Sequence, residues 1–347
     1  MNFVISSKEL EHHLQAIGKV INAKNTLPIL DNFLFELKGN ELTIKASDLE
    51  TTMITKIILE NASGKGLLAM PAKILLNSLK EFPEQPLTFN IDDETLAIDI
   101  LSENGKFSVV GLNGEDYPQA SVIKSDEATK IQISSEILFQ GITKTIFATA
   151  HDELRPVMNG IFIELTTETL TFVASDSHKL VRYRRSDIAA EKDASFILPQ
   201  KPAGLLKNIL PKEGSPVNVE FDNKNAYFEL GTFKVICRLV EGVYPNYDSV
   251  IPVDNPNKLT IDRVELYNTL RRVSVFSNQA SNLVKLSIVG NQLTISARDI
   301  DFSISAYEKI NCQYEGEEIE IGFKSLFLIE ILQNISSVDV ILELSDP

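Results

Sequence analysis

Hydrophobic and polar residues alternate in the same way in three evenly spaced segments of the chain. The segments are LTIKASDLE from Leu42, LTFVASDSH from Leu170 and LTISARDID from Leu293, at steps of 128 and 123 residues. Alternation with a period of two predicts a half-buried β-strand. Each segment follows another alternating run and a polar turn, so each pair is predicted to form a β-hairpin. Self-similarity at a nearly fixed step indicates a repeated domain.

Two helical patterns accompany each of these hairpins. The longer pattern opens each repeat and has apolar residues three and four apart, as at Leu10, Leu14 and Ile17, which is the spacing of an amphipathic helix. Its candidate N-cap residues are short polar side chains, namely Ser7, Ser134 or Ser135, and Asp262. A shorter helical pattern follows each hairpin, in AMPAKILLNSLKEFP, LPQKPAGLLKNILP and IGFKSLFLIEILQNI. The sequence therefore predicts an α+β fold of three repeated domains, each with two helices packed on antiparallel sheet.

The boundaries between the predicted domains fall in polar stretches, at 121–130 and 250–258. We expect the three domains to span 1–123, 124–252 and 253–347. A Tyr-Pro pair recurs in the first two domains at a step of 127 residues, and a third copy would fall beyond the last residue of the sequence. We therefore expect the third domain to be truncated at its C-terminus.

The composition is that of a packed globular protein, since 44% of the residues are hydrophobic and 23% are charged. The chain has no apolar run long enough for a membrane helix, and its start, MNFVISSKEL, lacks the features of a signal peptide. The two cysteines, Cys237 and Cys312, have no partner spacing for zinc. We expect two buried free thiols in a reducing cytosol, and therefore a cytoplasmic protein without a cofactor, a metal or a membrane partner.

The distribution of charge changes this picture. A formal net charge of −15 opposes binding to nucleic acid. The six predicted helices together carry +6, however, which leaves −21 for the remainder of the chain. This segregation suits a ring whose helices face DNA phosphates and whose acidic sheets face outward. A general preference of helices for Lys and Arg is the alternative interpretation.

The candidate DNA-binding residues are the cations predicted to lie on these helices. They are Lys24, Lys73, Lys80, Lys144, Lys201, Lys207, Arg271, Arg272 and Lys324, with Lys8, Lys19 and Lys212 as further candidates. No pattern of a recognition helix, a zinc finger or interleaved aromatic and basic residues accompanies them. We therefore expect contacts to phosphate only and negligible sequence specificity.

Three motifs raise the hypothesis of an enzyme or a metal site. The sequence SDSH at 175–178 contains the residue types of a catalytic triad, but neighbouring strand residues point to opposite faces. The sequence GKG at 64–66 lacks the length and the hydroxyl residue of a phosphate-binding loop. His12 and His13 are adjacent on a helix, so their rings diverge. No catalytic site is predicted, and a protein-interaction scaffold remains the second alternative.

An aspartate recurs once in each repeat, directly after the second strand of the hairpin. The three residues are Asp48, Asp176 and Asp299. An acid that is repeated in every domain is better interpreted as a turn or hydrogen-bonding cap than as a catalytic group.

Along nearly its whole length the sequence resembles the bacterial DNA polymerase III beta subunit, the β sliding clamp family. The resemblance is carried in order by TLPILDN, ASDLE, MPA, GEDYP, RPVMNGIFIE, ASDSHKL, LVEGVYPNY and EIGFK. It implies a non-catalytic processivity factor in DNA replication, with three-domain subunits that close head to tail as a dimeric ring around duplex DNA. From the residues without the resemblance, two or three subunits could close the ring.

The resemblance also implies a pocket between domains two and three that binds short peptides of the DNA polymerase III alpha subunit and of clamp-loader subunits. Such peptides carry a glutamine followed by aliphatic and aromatic residues. The implied pocket residues are Met158, Ser175, His178, Lys179, Leu180, Pro245, Ser249, Val250 and Phe327. A purely structural histidine is the alternative for His178. The family's usual Gly-His-Arg-Leu reads SHKL here, and its C-terminal tail, which forms one wall, lies beyond the last residue of this sequence.

The dimer interface implied by the resemblance joins domain one of one subunit to domain three of the other. On one side we expect Phe107 and Val109, on a late strand of domain one. On the other side we expect Val275 and Phe276, at the end of the first helix of domain three. A head-to-tail contact of this kind buries a different surface on each partner.

Overall fold

The structure is a computed structural model, which describes residues 1–123, 128–188, 192–210 and 215–345. The chain forms two compact units, Met1–Val243 and Tyr244–Pro347, each with its own hydrophobic core. In the described segments no helix is both long and apolar enough to cross a bilayer. The two boundaries between the three predicted domains stay predictions.

Two α-helices occur in each repeat, as predicted. In the described residues they are α1 (Ser7–Ile17), α2 (Ala72–Glu81), α3 (Ser135–Thr145), α4 (Gln200–Ile209), α5 (Arg263–Ser274) and α6 (Ser325–Gln333). A strand runs directly into each of them.

The strands of the first repeat are β1 (Asn2–Ser6), β2 (Asn32–Lys38), β3 (Glu41–Ser47), β4 (Thr51–Ile58), β5 (Asn61–Ser63), β6 (Lys65–Pro71), β7 (Pro86–Ile91), β8 (Ala97–Leu101), β9 (Lys106–Val110) and β10 (Leu112–Asn113). Those of the second are β11 (Thr129–Ser134), β12 (Gly160–Leu165), β13 (Leu170–Ser175), β14 (Leu180–Arg185), β15 (Ala194–Pro199), β16 (Pro216–Phe221), β17 (Asn225–Leu230) and β18 (Phe233–Arg238). Those of the third are β19 (Asn257–Asp262), β20 (Leu283–Val289), β21 (Gln292–Asp299), β22 (Ile304–Asn311), β23 (Gln313–Glu315), β24 (Ile319–Lys324) and β25 (Asp339–Leu344).

In the first unit a single sheet crosses from the first repeat to the second. Its nine strands are ordered β10-β6-β2-β3-β4-β18-β17-β16-β11. At the crossing, β4 pairs antiparallel with β18, with Thr55 opposite Phe233 and Thr51 opposite Cys237. The other sheets of this unit are β5-β1-β7-β8-β9 and β14-β13-β12-β15. The shared sheet explains why two repeats form one compact unit.

The second unit contains the third repeat. Its two antiparallel sheets have the orders β23-β19-β25 and β22-β21-β20-β24. Helix α5 packs beside α6 and over β21 and β22. Leu266, Leu270 and Val273 of α5 are buried among the apolar residues of these strands. This is the arrangement of helices on antiparallel sheet that the sequence predicts.

The first helix is shorter than its periodicity predicts. The pattern was continuous over 8–24, but α1 ends at Ile17 and Gly18–Val20 form a 3-10 turn. The β-branched Val20 and Ile21 then leave the helix, consistent with their weaker helix propensity. Consequently Lys24 lies in a loop after the helix. In the same way Lys324 is the last residue of β24 and not a helical residue.

One of the predicted N-caps is confirmed. The carboxylate of Asp262 accepts the backbone N–H of Glu265 at 2.7 Å. Ser7 is wrong as an N-cap, because it is the first residue of α1 and its buried hydroxyl donates to the Pro83 carbonyl at 2.7 Å. Ser134 occupies the N-cap position of α3 without a capping hydrogen bond from its side chain. Ser7 therefore bonds to the segment after α2 instead of capping its own helix.

The helices approach the sheets closely because small residues face the large ones. Gly141 of α3 lies against Phe172 of β13, and a Cβ at position 141 would come within 2.5 Å of the ring. On the other side of the unit, α1 buries Leu10 and Leu14 completely. Full burial of such a side chain contributes about 1.5–3 kcal/mol, and truncation of Leu14 to Ala is expected to cost about 2–5 kcal/mol.

Candidate functional site

The repeated aspartates are turn caps, as the sequence analysis predicted. Asp48 accepts the backbone N–H groups of Glu50 and Thr51, at 3.1 and 2.7 Å. Asp299 makes the equivalent bonds to residues 301 and 302, at 2.9 and 3.3 Å. The side chain thereby replaces backbone partners that a tight turn leaves unsatisfied. In all three repeats the turn follows the second strand of the predicted hairpin.

The sequence SDSH at 175–178 forms the same turn in the second repeat. Asp176 accepts the backbone N–H groups of His178 and Lys179, both at 2.9 Å. The hydroxyl of Ser175 donates to the carbonyl of Lys179 at 2.9 Å. Burial raises the pKa of Asp176, but the hydrogen bonds from Lys179 and His178 outweigh it and hold the pKa below its usual value. The residues that suggested a triad are therefore used to fix a turn.

Several of the candidate DNA-binding cations lie on exposed positions of the helices or next to them. Lys24, Lys73, Lys80 and Arg271 are exposed, and Lys207 is half-buried. Among the described residues none of the five is paired with a carboxylate. The guanidinium of Arg271 lies 5.6 Å from the centre of the Tyr267 ring. Such cations remain available to an external anion.

The remaining candidates already have partners within the chain. Arg272 donates to Glu308, with Nε at 3.0 Å, and the hydrogen bond lowers the pKa of that carboxyl. The ammonium groups of Lys144 and Lys324 lie 4.8 and 5.0 Å from the centres of the Tyr183 and Phe327 rings. Lys212 lies outside the described residues.

Lys201 has a partner set that no sequence signal indicated. Its ammonium donates to the Val20 carbonyl at 2.8 Å and to Asn22 Oδ1 at 2.6 Å, and it forms an ion pair with Asp48. All three acceptors belong to the first repeat, whereas Lys201 lies on α4 of the second. The residue therefore links the two repeats next to the crossing of β4 and β18.

The implied peptide-binding residues of the first unit surround one turn. Ser175, His178, Lys179 and Leu180 lie at the turn between β13 and β14, with His178 exposed and Leu180 half-buried. Met158 ends a neighbouring 3-10 turn, and its sulfur lies 3.4 Å from the hydroxyl of Ser177. The five candidates therefore cluster around one turn, with Met158 and Ser175 buried beneath the surface.

Two residues at this surface were absent from the candidate set. Arg155 donates a hydrogen bond to Ser177 Oγ and forms an ion pair with Asp152 at 2.8 Å. Ser177 has a φ of +74°, which a non-glycine residue adopts only in tight turns. Sequence spacing could not find Arg155, because the contact joins residues 22 apart.

The implied peptide-binding residues of the second unit belong to two segments. Pro245, Ser249 and Val250 are exposed, and the hydroxyl of Ser249 donates to the Asn246 carbonyl at 2.7 Å. Phe327 is a half-buried residue in the first turn of α6. Pro245, Val250 and Phe327 are the apolar members of this set.

Three of the four implied dimer-interface residues are exposed apolar side chains, and the fourth, Val109, is half-buried. Phe107 and Val109 lie on β9, which is the edge strand of its sheet. Phe107 is 44% exposed and packs edge-on against Phe82, with ring centres 5.1 Å apart. Val275 is the C-cap of α5 and is 73% exposed, and Phe276 is 39% exposed. Exposed apolar groups of this size are typical of interaction surfaces.

The cysteines and the other titratable groups form no metal site in the described part of the chain. Both cysteines are free, with Cys237 buried and Cys312 only partly buried. The expectation of two buried thiols is therefore wrong for Cys312, which follows the exposed end of β22. Burial raises the pKa of Cys237 to about 12, so its thiol stays protonated.

Comparisons with known proteins agree along the whole chain. The profiles of the DNA polymerase III beta subunit match its N-terminal domain at residues 1–121, its central domain at 132–246 and its C-terminal domain at 248–347. The chain belongs to the DNA polymerase III beta subunit family. It is thus a DNA sliding clamp of replication, a non-catalytic processivity factor.

Individual members of the family are similar over the whole of this chain and over most of their own length. The chain is 27% identical to the beta sliding clamp of Pseudomonas putida, over 100% of this chain and 94% of that protein. A crystal structure of a sliding clamp from Pseudomonas aeruginosa bound to griselimycin has a TM-score of 0.95 and 26% identity, over 100% of this chain and 93% of that one. A sliding clamp from Bartonella birtlesii bound to griselimycin has a TM-score of 0.93 and 28% identity, with the same coverage.

Proposed function

We propose that the clamp closes around duplex DNA as a head-to-tail homodimer and that its helix surfaces contact the DNA. The observation that carries the proposal is a set of cations on or beside the helices that pair with no carboxylate among the described residues, namely Lys24, Lys80, Lys207 and Arg271. They stand out in a chain whose net charge is −15. A cationic surface in an otherwise acidic protein attracts phosphate at the helices and repels it elsewhere.

The contacts to DNA are proposed to be electrostatic and independent of sequence. Lysine and arginine side chains on helices that pack flat on a sheet reach phosphate oxygens, but no element enters a groove of the duplex. Phosphate contacts that release counterions let a protein slide along DNA. Such contacts suit a ring that must stay on DNA without stopping at any base sequence.

The ring is proposed to close through the first repeat of one copy and the third repeat of the other. The edge strand β9 with Phe107 and Val109 forms one side, and Val275 with Phe276 forms the other. Each fully buried apolar side chain contributes about 1.5–3 kcal/mol. Four such residues at each of two junctions are enough for a stable dimer.

Partner proteins are proposed to bind through short peptides at the two sets of candidate residues, namely Met158, Ser175, His178, Lys179 and Leu180, and Pro245, Ser249, Val250 and Phe327. The proposed partners are the DNA polymerase III alpha subunit and clamp-loader subunits, in the cytoplasm. Exposed or half-buried apolar side chains beside hydrogen-bonding groups suit a peptide with aliphatic and aromatic anchors.

Removal of the helix-surface cations tests the DNA contacts. In a variant with Lys24→Ala, Lys80→Ala and Lys207→Ala, we expect weaker association with linear duplex DNA. The dependence of log K on log salt should flatten by up to about 0.9 for each phosphate that the variant no longer neutralises. Lys201 is left unchanged because it bonds to Asp48.

A matched control variant distinguishes the effect of these positions on DNA binding from the effect of net charge. Lys56, Lys130 and Lys258 are exposed lysines on strands, each paired with a glutamate. Their triple replacement by Ala changes the net charge equally and should leave the salt slope as in the parent. Equal losses in both triple variants would show that total charge, and not the helix surface, governs binding.

A further inference from the structure

The internal junction between the first two repeats is a complete example of how two repeats join. At this junction β4 contributes one edge and β18 the other, with Met53 opposite Val235. Lys201 reaches across beside the strands to Asn22 and Asp48. The junction therefore has two parts, a strand ladder and a lysine that bonds to an Asn–Asp pair.

Strand pairing identifies the residues of the third repeat that correspond to the β4 side. Ala46 of β3 lies opposite Met53, and Ala297 of β21 lies opposite Ala306. Since the two alanines occupy the same place in the repeated segment, Ala306 of β22 corresponds to Met53. Helix positions agree, because Thr269 of α5 lies 3.5 Å from Glu308 as His13 of α1 lies 2.5 Å from Thr55.

Strand pairing also identifies the counterpart of β18 in the first repeat. Phe228 of β17 lies opposite Val235 in the second repeat, and Ile100 of β8 lies opposite Phe107 in the first. Phe107 of β9 therefore corresponds to Val235. Lys73 is the second residue of α2 and Lys201 the second residue of α4, so these lysines also correspond.

In the described part of the chain, both counterpart strands have one edge without a strand partner. Strand β9 is an edge strand of one sheet and β22 is an edge strand of another. Their apolar side chains are exposed, including Ile304 at 38% and Tyr307 at 73%. An unpaired strand edge is a template for pairing with another chain. In the first unit, the equivalent edges of β4 and β18 are covered because these two strands of neighbouring repeats pair with each other. A second copy of this chain is therefore the fitting partner for the edges of β9 and β22.

We propose that Lys73 is a ring-closing residue. When β9 of one copy pairs with β22 of a second copy in the register of β18 with β4, Lys73 bonds to Asn278 and to the carboxylates of Asp299 and Asp301 of the second copy. The proposal rests on the head-to-tail dimer proposed above. It moves Lys73 from the DNA-binding set to the interface. Among the described residues no carboxylate of its own copy pairs with Lys73.

The receiving group in the third repeat is already assembled. Asn278 Nδ2 donates to Asp299 Oδ2 at 3.4 Å and to Asp301 Oδ2 at 3.3 Å. Asn278 and Asp299 correspond to Asn22 and Asp48, the two side chains that bond to Lys201. Two carboxylates held next to each other favour a cation between them. The ammonium of Lys73 supplies that charge.

The transferred register also gives complementary side chains. Phe107 comes opposite Ala306, and Val109 comes opposite Ile304. In the internal junction the corresponding pairs are Val235 with Met53 and Cys237 with Thr51. At the first of these positions a large residue, Phe107, meets the small Ala306, where two residues of medium size meet in the internal junction. The total side-chain volume at the helix side of the ladder stays similar, as close packing requires.

A disulfide cross-link tests the register. Ser108 and Ser305 are exposed and come opposite each other, as Ile236 and Thr52 do. In a Cys312→Ser background, Ser108→Cys with Ser305→Cys should form a covalent dimer on mild oxidation, because directly opposite strand residues lie within disulfide reach. The control pair, Ser108→Cys with Lys309→Cys, is displaced by four residues, or about 13 Å, and should stay uncross-linked.

The outcomes distinguish the proposed strand register from the existence of the dimer. Light scattering that finds only monomers of the parent chain at all concentrations would reject the ring. A dimer that cross-links through the displaced pair, or through neither pair, would reject the register and keep the ring.

Replacement of Lys73 tests its role. We expect Lys73→Ala to raise the dimer dissociation constant about tenfold or more, since a charge-assisted bond is removed at each junction. Lys73→Arg should retain most of the affinity, and Lys8→Ala, a helix lysine away from the junction, should leave it unchanged. Analytical ultracentrifugation measures all three. A parental dissociation constant for Lys73→Ala, with a flatter salt dependence of DNA binding, would return Lys73 to the DNA-binding set.

Discussion

Lys201 and Asp48 form an ion pair although they lie 153 residues apart in the chain. The side chain of Asp48 is only 6% exposed, and its other oxygen caps a turn. The ammonium also satisfies the Val20 carbonyl and Asn22. A basic residue that the sequence pattern assigned to DNA is thus committed to the junction between two repeats.

Loss of this link should destabilise the first unit. We expect Lys201→Ala to lower the free energy of unfolding by about 1–3 kcal/mol, because a shielded carboxylate and a backbone carbonyl lose their partner. Lys207→Ala on the same helix, which has no carboxylate partner among the described residues, should change it by less than about 0.5 kcal/mol. Urea unfolding followed by circular dichroism measures both variants. Equal stabilities would contradict a structural role for Lys201.

His13 makes the stability of the same junction dependent on pH. Its Nδ1 lies 2.5 Å from the Thr55 hydroxyl and its ring 5.4 Å from Phe233. Burial lowers the pKa of His13 below its usual 6.5, and the charge of His12 lowers it further. The unfolded chain therefore binds the proton more tightly than the folded one. The contribution of the neutral ring is complete above about pH 6.5 and is lost as the pH falls below that value.

Unfolding at several pH values checks this expectation. Between pH 7.5 and 5.5 the parent should lose more stability than His13→Gln, by about 1.4 kcal/mol for each unit of pKa difference. The exposed His151 serves as the control position, and His151→Gln should follow the parent. If His13→Gln showed the same pH dependence as the parent, His13 would not be the titrating group.

The sequence predicted the elements that depend on local patterns. Alternation around Leu42, Leu170 and Leu293 identified the hairpins, and the caps at Asp48 and Asp299 followed from their repeated position. The end of α1 at Ile17 was missed, because apolar spacing continues through a 3-10 turn whose hydrogen bonds leave no periodic signal. Local patterns therefore give element types better than element ends.

Contacts between distant residues could not be predicted in the same way. The pairing of Arg272 with Glu308 and of Lys201 with Asp48 removes two cations from the predicted DNA-binding set. A sum of the charges on each helix treats such residues as unpaired, because it contains no information on partners in other elements of the fold. The distinction between a phosphate contact and a junction contact requires the fold.

The end of α5 should determine the oligomeric state. Val275→Ala with Phe276→Ala removes the two exposed apolar side chains there and should give monomers at micromolar concentration. Val289 and Val338 are exposed to a similar extent elsewhere in the same unit. Their double replacement by Ala should leave the dimer intact. Size-exclusion chromatography with light scattering distinguishes the two, and a dimer of normal affinity in the first variant would exclude this surface.

Leu180 offers the clearest test of peptide binding. It is half-buried at the start of β14, beside the turn fixed by Asp176. A peptide that places aliphatic and aromatic side chains there would bury roughly 200–300 Å² of apolar surface, or about 5–8 kcal/mol before ordering costs. Micromolar affinity is therefore expected for a short flexible peptide.

Leu180→Asp should abolish that binding, because an unpaired carboxylate is costly to bury under an apolar side chain. DNA association and dimerisation should persist, since neither proposed surface includes Leu180. The control, Ile58→Asp, introduces the same charge at an exposed apolar position of the first repeat and should leave peptide binding unchanged. Fluorescence anisotropy with a labelled peptide that contains glutamine followed by aliphatic and aromatic residues measures all three proteins. Parental affinity in Leu180→Asp would mean that the peptide binds elsewhere on the clamp.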